Sequence, residues 1–477
     1  MKSPKLRISK HLFKMKRFLY LILFLVSTYT YADVRVNPQI KKGPVKMMNG
    51  MNNGPWKSGS DQVRDYFEYY KACRIPFART HDASFCAAYG GEHTVDISAI
   101  FPDFSKDVDD PDSYDFTETD IYLYNIHAAG TGIFFRLGQR IEHNYKKYNI
   151  LPPKDYKKWA KICEHIIRHY NEGWANGVKG DHIIYWEIWN EPDLDWEGDA
   201  WKTNPRTWGG SMEEFFKFYE IAAKHLKKCF PNLKIGGPAL CFQEKWADAF
   251  LQYMSEHKVQ LDFFSYHCYT NEPSEMTNRV DVMHKLLVKH GYNDTEAILN
   301  EWNYNNGWTD TYPNSVLVMN NIKGAAYVAA CLIACQDHPV DMLMYYDARP
   351  STVFNGLFDF YTLTPKETYY TFYAWAKLRD LGQEVEVVTN EKDVYATAAT
   401  NESGKTAIFM ARYNEDNNVI APKKVKVHVE GISSSNEIIG HLTDFAHMYT
   451  EIPLSLDEEG NIAVPMEPES FLMIEIR

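Results

Sequence analysis

The chain has 477 residues and a formal net charge of −12 at neutral pH. This acidic balance argues against nucleic acid or an anionic membrane surface as a partner. A chain of this length is too long to fold around one ordinary hydrophobic core, so we expect a large domain joined to a smaller one.

The N-terminal segment is typical of an export signal. Residues 1–32 carry seven basic residues and no acidic ones, an apolar run over 18–26, and Tyr31-Ala32 as a cleavage point before Asp33. That order characterises signal peptides, and the run is too short to span a bilayer as a helix; an N-terminal membrane anchor is the alternative. We expect removal of residues 1–32, a net charge of −19 afterwards, no membrane contact, and a periplasmic or extracellular location.

Short apolar segments then alternate with longer amphipathic ones as far as residue 380. Strands are predicted at Val45–Asn49, Phe77–His81, Gly132–Leu137, Ile183–Trp189, Leu233–Gly237, Phe263–His267, Ala297–Asn300 and Met342–Tyr346. Helices are predicted at Asp61–Cys73, Glu118–Ala129, Asp155–Trp174, Met212–Cys229, Glu244–His257, Val280–His290, Asn320–Asp337 and Glu367–Leu378. Because parallel strands need helical crossovers, residues 33–380 predict an α/β fold, a (β/α)8 TIM barrel. A doubly wound open sheet is the alternative.

Residues 381–477 have a different pattern, with short strands separated by turn signals. The strands are predicted at Val385–Val388, Ala396–Thr400, Thr406–Arg412, Val425–Val429, Glu437–His441 and Phe471–Ile476. This spacing predicts an antiparallel β-sandwich domain, to which residues 33–42 offer a further strand. We expect this domain to buttress the barrel; carbohydrate binding is the alternative.

The cysteines show neither a CxxC pair nor zinc-site spacing. They are Cys73, Cys86, Cys163, Cys229, Cys241, Cys268, Cys331 and Cys335. Most lie in apolar runs, so we favour buried core residues over the disulfides that export permits. We expect no metal and no cofactor.

Two glutamates follow predicted barrel strands in similar surroundings. Glu191 follows the fourth strand and Glu301 the seventh, each near Trp and Asn. Loops at the C-terminal ends of barrel strands form the active site. Glycoside hydrolysis needs two carboxyl groups there, one to protonate the leaving oxygen and one to attack the anomeric carbon or activate water. The pair therefore predicts a glycosidase.

The segment 186–193, Trp-Glu-Ile-Trp-Asn-Glu-Pro-Asp, resembles the acid/base motif of glycoside hydrolase family 39. That family contains β-xylosidases and α-L-iduronidases within the clan of retaining barrel glycosidases. Further segments resemble the family's motifs in the same order: 78–81, 114–117, 235–239, 262–269 and 299–303.

The resemblance implies a role for each matching residue. Glu191 is expected to be the acid/base and Glu301 the nucleophile. Asn190 is expected to hydrogen-bond the sugar hydroxyl next to the anomeric carbon. The remaining matches are expected to line the subsite of the cleaved sugar, with the tyrosine also hydrogen-bonded to Glu301; they are His81, His267 and Tyr269.

Three physical expectations accompany these roles. Arg79 either forms an ion pair inside the barrel or orients Asn190 or Glu301. The tryptophans around Glu191 are expected to raise its pKa, as an acid catalyst requires. Trp302 is the best candidate for stacking on a sugar face among the loop tryptophans, which are Trp56, Trp196, Trp201, Trp208, Trp302 and Trp308.

Two segments depart from the β-xylosidase pattern. Residues 136–143 contain Arg140, and residues 345–349 end in Arg349. Each arginine either meets a carboxylate of the substrate or pairs with Glu142 or Asp347, and we favour the pairing. Because of these two departures, the sequence does not identify which sugar the protein binds.

We therefore expect a retaining glycoside hydrolase, most similar to β-xylosidases, that acts on glycans derived from plant or host polysaccharides. The alternatives within the family are α-L-iduronidase, β-galactosidase and α-L-arabinosidase. The alternative from another class is a non-catalytic carbohydrate-binding protein on a barrel. The expected partner is an oligo- or polysaccharide, and a homo-oligomer is left open.

Overall fold

The computed structural model describes residues 33–81, 93–177, 183–241, 243–350 and 353–477; the expected signal peptide and Cys86 lie outside them. Eight parallel strands close into a barrel, with β9 pairing back to β2. The strands are β2 (Met47–Asn52), β3 (Phe77–Arg79), β4 (Gly132–Leu137), β5 (Tyr185–Ile188), β6 (Lys234–Leu240), β7 (Phe263–Thr270), β8 (Glu296–Tyr304) and β9 (Met342–Tyr345). The predicted barrel is confirmed, and the open-sheet alternative is wrong.

Helices pack around the barrel, and local sequence sets their ends. They are α1 (Phe67–Ala72), α2 (Ile97–Ile100), α3 (Thr117–Ala128), α4 (Tyr156–Glu172), α5 (Met212–Cys229), α6 (Glu244–Glu256), α7 (Pro273–Lys289), α8 (Tyr312–Met319), α9 (Ile322–Gln336) and α10 (Glu367–Leu381). Helix α5 begins with a capping box in which Ser211 and Glu214 bond each other's backbone N–H, satisfying donors that the first turn leaves unpaired. Helix α4 ends at Gly173 with φ 76°, a conformation that glycine adopts at low cost.

The barrel interior has an apolar lower layer and a polar upper layer. The lower layer consists of Phe134, Tyr185, Phe263, Ile298, Met342 and Met344. Side chains alternate along strands, so Glu187, Ser265 and Asn300 point inwards two residues further on. Glu187 Oε1 accepts from Ser265 Oγ at 2.6 Å and from Asn300 Nδ2 at 2.5 Å. This layer forms the floor beneath the C-terminal strand ends.

The second domain is a nine-stranded, mostly antiparallel sheet in the order β15-β14-β17-β12-β11-β10-β1-β13-β16. Its strands are β1 (Val34–Pro44), β10 (Gln383–Thr389), β11 (Val394–Thr400), β12 (Thr406–Arg412), β13 (Lys423–Val429), β14 (Ile438–Thr443), β15 (Thr450–Pro453), β16 (Ile462–Met466) and β17 (Ser470–Ile476). One face of the sheet encloses its own apolar core. The predicted class, a barrel with a β domain after it, is confirmed.

Strand β1 belongs to this sheet although it precedes the barrel in sequence. It lies between β10, to which it is antiparallel, and β13, to which it is parallel. Val34 and Val36 are fully buried there. The chain therefore starts in the sheet domain, crosses into the barrel and returns.

The sequence did not predict β15 and β16. Both are the outermost strands of the sheet, and each contains a proline, Pro453 and Pro465. Proline has no backbone N–H to donate to a neighbouring strand, so within a sheet it is confined to edge strands. A segment that contains proline is therefore hard to recognise as a strand from the sequence.

Helix α9 is apolar on nearly every side because it packs between the barrel and the sheet domain. Its buried alanines and Cys331 belong to the same core as Phe409 and Met473 of the sheet. The seven described cysteines are free thiols, so the structure places no disulfide among the residues it describes.

Among the described residues, no single helix has both the length and the apolar character needed to cross a membrane. Helices α8 and α9 reach that length and apolar character only as a pair, and the pair is bent by 80°.

Candidate active site

A bulge in β8 directs Glu301 into the barrel. The ladder between β7 and β8 shifts register after Tyr266, which pairs with Leu299, so that His267 pairs with Glu301. The extra residue lets Asn300 and Glu301 both face inwards, and the following residue faces outwards. The bulge therefore places a carboxyl above the polar floor at a position that strict alternation would have turned towards the helices.

The same bulge moves Trp302 away from the site, so the expectation that Trp302 stacks on a sugar is wrong. Its ring has no exposed surface and packs edge-on against Tyr345 at 5.3 Å. Tyr345 in turn contacts Phe372 of α10. Trp302 is thus part of the core between barrel and helices.

Glu191 lies at the end of β5 on a loop with tight backbone contacts. Its N–H donates to the carbonyl of Ala239 at 2.9 Å, and its own carbonyl accepts from Thr207 Oγ1 at 2.5 Å. The residue has φ 45°, a left-handed conformation that side chains other than glycine rarely adopt. The surrounding loops therefore hold the backbone where the side chain is needed.

The tryptophans near Glu191 do not surround its carboxyl group, contrary to expectation. The Trp189 ring packs on Trp159, Trp208 and Phe218 in the helical layer. The carboxyl group instead contacts His267, whose Nδ1 lies 2.8 Å from Glu191 Oε1. The sequence assigned that histidine to the sugar subsite and missed this contact.

Arg79 joins the floor of the barrel to the site above it. Its side chain is fully buried, and Nε donates to Glu187 at 2.7 Å. Nη1 donates to Glu301 Oε2 at 3.1 Å, and Nη2 donates to Asn190 Oδ1 at 2.6 Å. Both expected roles are therefore present, because one guanidinium forms the interior ion pair and orients two site residues.

The contact with Arg79 also fixes the orientation of the Asn190 amide. A guanidinium can only donate, so it faces the amide oxygen, and Nδ2 points away. Nδ2 is buried and makes no hydrogen bond to the described residues. A buried donor of this kind requires a partner, and a hydroxyl group of a bound sugar would supply one.

The two carboxyl groups and the His267 ring form one compact cluster. An oxygen of Glu191, an oxygen of Glu301 and a ring nitrogen of His267 all lie within 4.8 Å of one another. His267 Nε2 is 3.6 Å from Glu301 Oε2, and His81 Nε2 is 4.0 Å from the same oxygen. Glu191, Glu301, His267 and His81 were predicted as site residues on different strands, and the structure places them close together.

Burial controls the protonation of His267 and Glu301. It lowers the pKa of His267 to about 4, although the nearby Glu301 charge opposes the shift. Burial also raises the pKa of Glu301, together with the charge of Glu191. His267, Arg79 and the hydroxyl of Tyr269, which donates to Glu301 Oε1 at 2.6 Å, act in the opposite direction. His267 is therefore neutral near pH 7.

The two arginines that depart from the β-xylosidase pattern have different surroundings. Arg349 donates through Nε to Asp347 Oδ2 at 2.8 Å, as expected. Arg140 does not pair with Glu142, whose carboxylate instead accepts from the N–H groups of Tyr148 and Asn149. The loop after β4 folds back on itself and uses Glu142 to hold its own backbone, so that expected pairing is wrong.

An aromatic wall stands on the Glu301 side of the site. Trp308, which is 55% exposed, lies 5.0 Å from the ring of Tyr269 and stacks on Tyr312 at 5.7 Å. Phe354 contacts both Trp308 and Tyr346. An exposed ring beside the residue that bonds Glu301 can meet a sugar face, which the buried Trp302 cannot.

Among the residues that the structure describes, two side-chain clusters have the composition of a metal site. One is the Glu191, His267 and Glu301 group itself. The other consists of Glu164, His225 and Cys229, on α4 and α5. Glu164 also accepts from Arg168 and Lys161, cations that oppose a bound metal ion.

Comparison with known proteins gives a consistent family. Residues 92–443 match the model of glycosyl hydrolases family 39. The β-xylosidase of Geobacillus stearothermophilus is 28% identical over 281 residues, 52% of either chain. The β-xylosidase of Caldicellulosiruptor saccharolyticus is 25% identical over 323 residues, 63% of this chain and 62% of that one. The chain thus spans about half to three fifths of these relatives' length.

The fold has close counterparts among solved structures. A crystal structure of a glucosidase from Croceicoccus marinus superposes with a TM-score of 0.75 at 20% identity, covering 93% of this chain and 98% of that one. This likeness concerns the fold, whereas the match to the family model extends over most of the barrel and into the sheet domain. The chain belongs to glycosyl hydrolases family 39.

Proposed function

We propose that the protein is a retaining glycoside hydrolase in which Glu301 is the nucleophile and Glu191 the acid/base. The observation that carries this proposal is the approach of their carboxyl oxygens to within 4.8 Å. Retaining enzymes hold the two carboxyl groups about 5–5.5 Å apart, and inverting enzymes about 6.5–9.5 Å, to admit a water molecule. The short separation favours direct attack.

The charges in the site support this division of roles. The guanidinium of Arg79 faces the buried carboxyl groups of Glu187, Glu301 and Glu191. The His267 ring beside them is neutral. Like charges in a buried site favour retention of a proton. Glu187 and Glu301 contact Arg79 directly, whereas Glu191 contacts His267. We assign the proton to Glu191, and without its negative charge Glu301 ionises more easily.

In the first step, a Glu301 oxygen attacks the anomeric carbon while the C–O bond to the leaving group breaks. Glu191 gives its proton to the departing oxygen and becomes a carboxylate. In the second step, Glu191 takes a proton from water, the water oxygen attacks the anomeric carbon, and the bond to Glu301 breaks. Both carboxyl groups return to their starting states, and two displacements give net retention.

His267 fits both steps because a neutral imidazole carries one N–H. With this proton on Nδ1, His267 donates to Glu191 Oε1, and the other oxygen of Glu191 carries the proton that goes to the leaving group. The same Nδ1–H donates to Glu191 when that carboxyl group is ionised, so the imidazole keeps its proton throughout. His267 is thus a positioning residue that accommodates either state of the pair.

The substrate class follows from the relatives and from the wall beside Glu301. The named relatives are β-xylosidases, and we propose a β-xyloside as the substrate. We also propose that the protein is exported and takes part in polysaccharide degradation; the N-terminal segment supports export. The Asn190 amide would bond the hydroxyl next to the anomeric carbon. Trp308 would stack on the sugar or on its leaving group.

Substitution of the two carboxylic acids separates their roles. We expect Glu301→Gln to abolish turnover of every β-xyloside. We expect Glu191→Ala to lower kcat strongly on xylobiose but far less on 2,4-dinitrophenyl β-xyloside, whose leaving group needs no proton. Steady-state kinetics checks this, with Glu164→Ala as the control. Equal losses on both substrates from Glu191→Ala would rule out its acid role.

The acid limb of the pH profile reports ionisation of the nucleophile. Because burial raises the pKa of Glu301, we expect kcat/KM to fall as the pH drops through a value above the ordinary range of glutamate. Tyr269→Phe removes a donor to the charged form and should move this limb to higher pH. Tyr292→Phe, which loses a bond to the carbonyl of Val259, is the matched control. A limb that stays in place or moves to lower pH would contradict the assignment.

Truncation of the aromatic wall tests substrate stacking. We expect Trp308→Ala to raise KM for aryl β-xylosides by about tenfold, the equivalent of ~1.4 kcal/mol of lost ring contact, with a smaller change in kcat. Trp201→Ala, at another loop tryptophan, should leave KM near the wild-type value. An unchanged KM in Trp308→Ala would show that this ring does not touch the substrate.

A further inference from the structure

A groove lined with tyrosines lies at the junction of the barrel and the sheet domain. Its volume is about 490 Å³, and its wall includes Tyr69 of α1, Tyr370 and Tyr373 of α10, and Tyr449 with His441 from the sheet domain. It shares no residue with the Glu191 and Glu301 site. The volume falls in the range of about 300–1,000 Å³ that is usual for ligand pockets.

The rings of the groove form an ordered stack. Tyr449 lies between Tyr370, at 5.3 Å and 9° between ring planes, and His441, at 4.8 Å and 8°. Tyr373 meets Tyr449 edge-on at 5.4 Å. Tyr69 is 43% exposed at the side of α1. The rings are thus held in place by one another, so that binding a ligand would cost little side-chain entropy.

The tyrosine hydroxyl groups are available for hydrogen bonds. The hydroxyls of Tyr69, Tyr370, Tyr373 and Tyr449 make none to any residue within the described ranges. That of Tyr449 is buried as well as unpartnered. A tyrosine usually finds a partner for its hydroxyl when buried, so the Tyr449 hydroxyl lacks a partner that a hydroxyl group of a ligand would supply.

The charges at the groove favour a neutral ligand. Lys377 and Glu451 contribute one charge of each sign to the wall, and Lys377 is already paired with Glu475 at 2.7 Å. The exposed ring of Tyr69 for C–H surfaces, hydroxyls without protein partners and charges of both signs together match a neutral sugar chain. We propose that the tyrosine groove is a second carbohydrate site, which binds a stretch of neutral oligosaccharide while another part of the polymer is at the catalytic pair.

The experiment is native gel electrophoresis of the full chain in gels that contain soluble arabinoxylan, with Glu301→Gln as the background so that the polymer stays intact. The xylan probe rests on the proposed function, but retardation needs no catalysis. We expect arabinoxylan to retard the protein, and Tyr69→Ala with Tyr370→Ala to weaken binding by about tenfold. Tyr69→Ala alone, at an exposed position that leaves folding intact, should give part of this loss.

The matched control is Tyr124→Ala, at a 66% exposed tyrosine on α3, which should leave retardation unchanged. In the active background, the double variant should keep the wild-type kcat/KM on aryl β-xylosides and lose efficiency on arabinoxylan-derived oligosaccharides. Absence of retardation in the parent protein, or equal retardation of parent and double variant, would overturn the second site. A parent protein that binds arabinoxylan through the groove but hydrolyses no aryl β-xyloside would count against the proposed function instead.

Discussion

The arrangement of the site depends on the hydrogen bonds that the buried guanidinium of Arg79 makes. The guanidinium bonds Glu187 in the barrel floor, Glu301 and Asn190, with one donor directed at each. A buried charge is costly unless it is paired and fully hydrogen-bonded. Glu187 is a buried charge as well, and it accepts hydrogen bonds from Ser265 and Asn300 in addition to pairing with Arg79. The positions of Glu301 and Asn190 thus follow from the need to compensate the Arg79 charge in the centre of the barrel.

The bulge in β8 is the second constraint, and the two work together. It turns Glu301 towards Arg79 and sends Trp302 into the helical layer. Glu301, its cationic partner Arg79 and Glu191 therefore come from three strands whose ends converge. Two carboxyl groups at this distance inside a protein cannot both ionise freely.

The sequence predicted much of the fold because the barrel has strong periodic signals. The eight strands follow from the alternation of apolar and amphipathic segments, and Glu191, Glu301 and the Tyr269 bond to Glu301 were expected from motifs at strand ends. What it missed has physical reasons. Trp302 follows Glu301 directly in sequence and was therefore the best stacking candidate, but the bulge that turns it into the helical layer leaves no mark in composition. Glu187 and Asn52, which pairs with Arg79, read as ordinary strand residues. The role of His267 beside Glu191 depends on contacts between distant strands.

The edge strands and the tyrosine groove show the same limit in another way. Pro453 and Pro465 hide β15 and β16 from pattern analysis. The groove combines Tyr69, Tyr370 and Tyr449, which lie on different domains and far apart in sequence. Such sites arise where two domains meet, and a single segment does not reveal them.

The most direct test of the central claim is to trap the covalent intermediate. Incubation with 2,4-dinitrophenyl 2-deoxy-2-fluoro-β-xyloside, digestion and peptide mass spectrometry would locate the attached sugar. The fluorine slows both steps, and the activated leaving group speeds only the first, so the covalent intermediate accumulates. The structure predicts one sugar per chain, on the peptide that contains Glu301. Attachment to another residue, or steady turnover of aryl β-xylosides without any labelled peptide, would contradict the account.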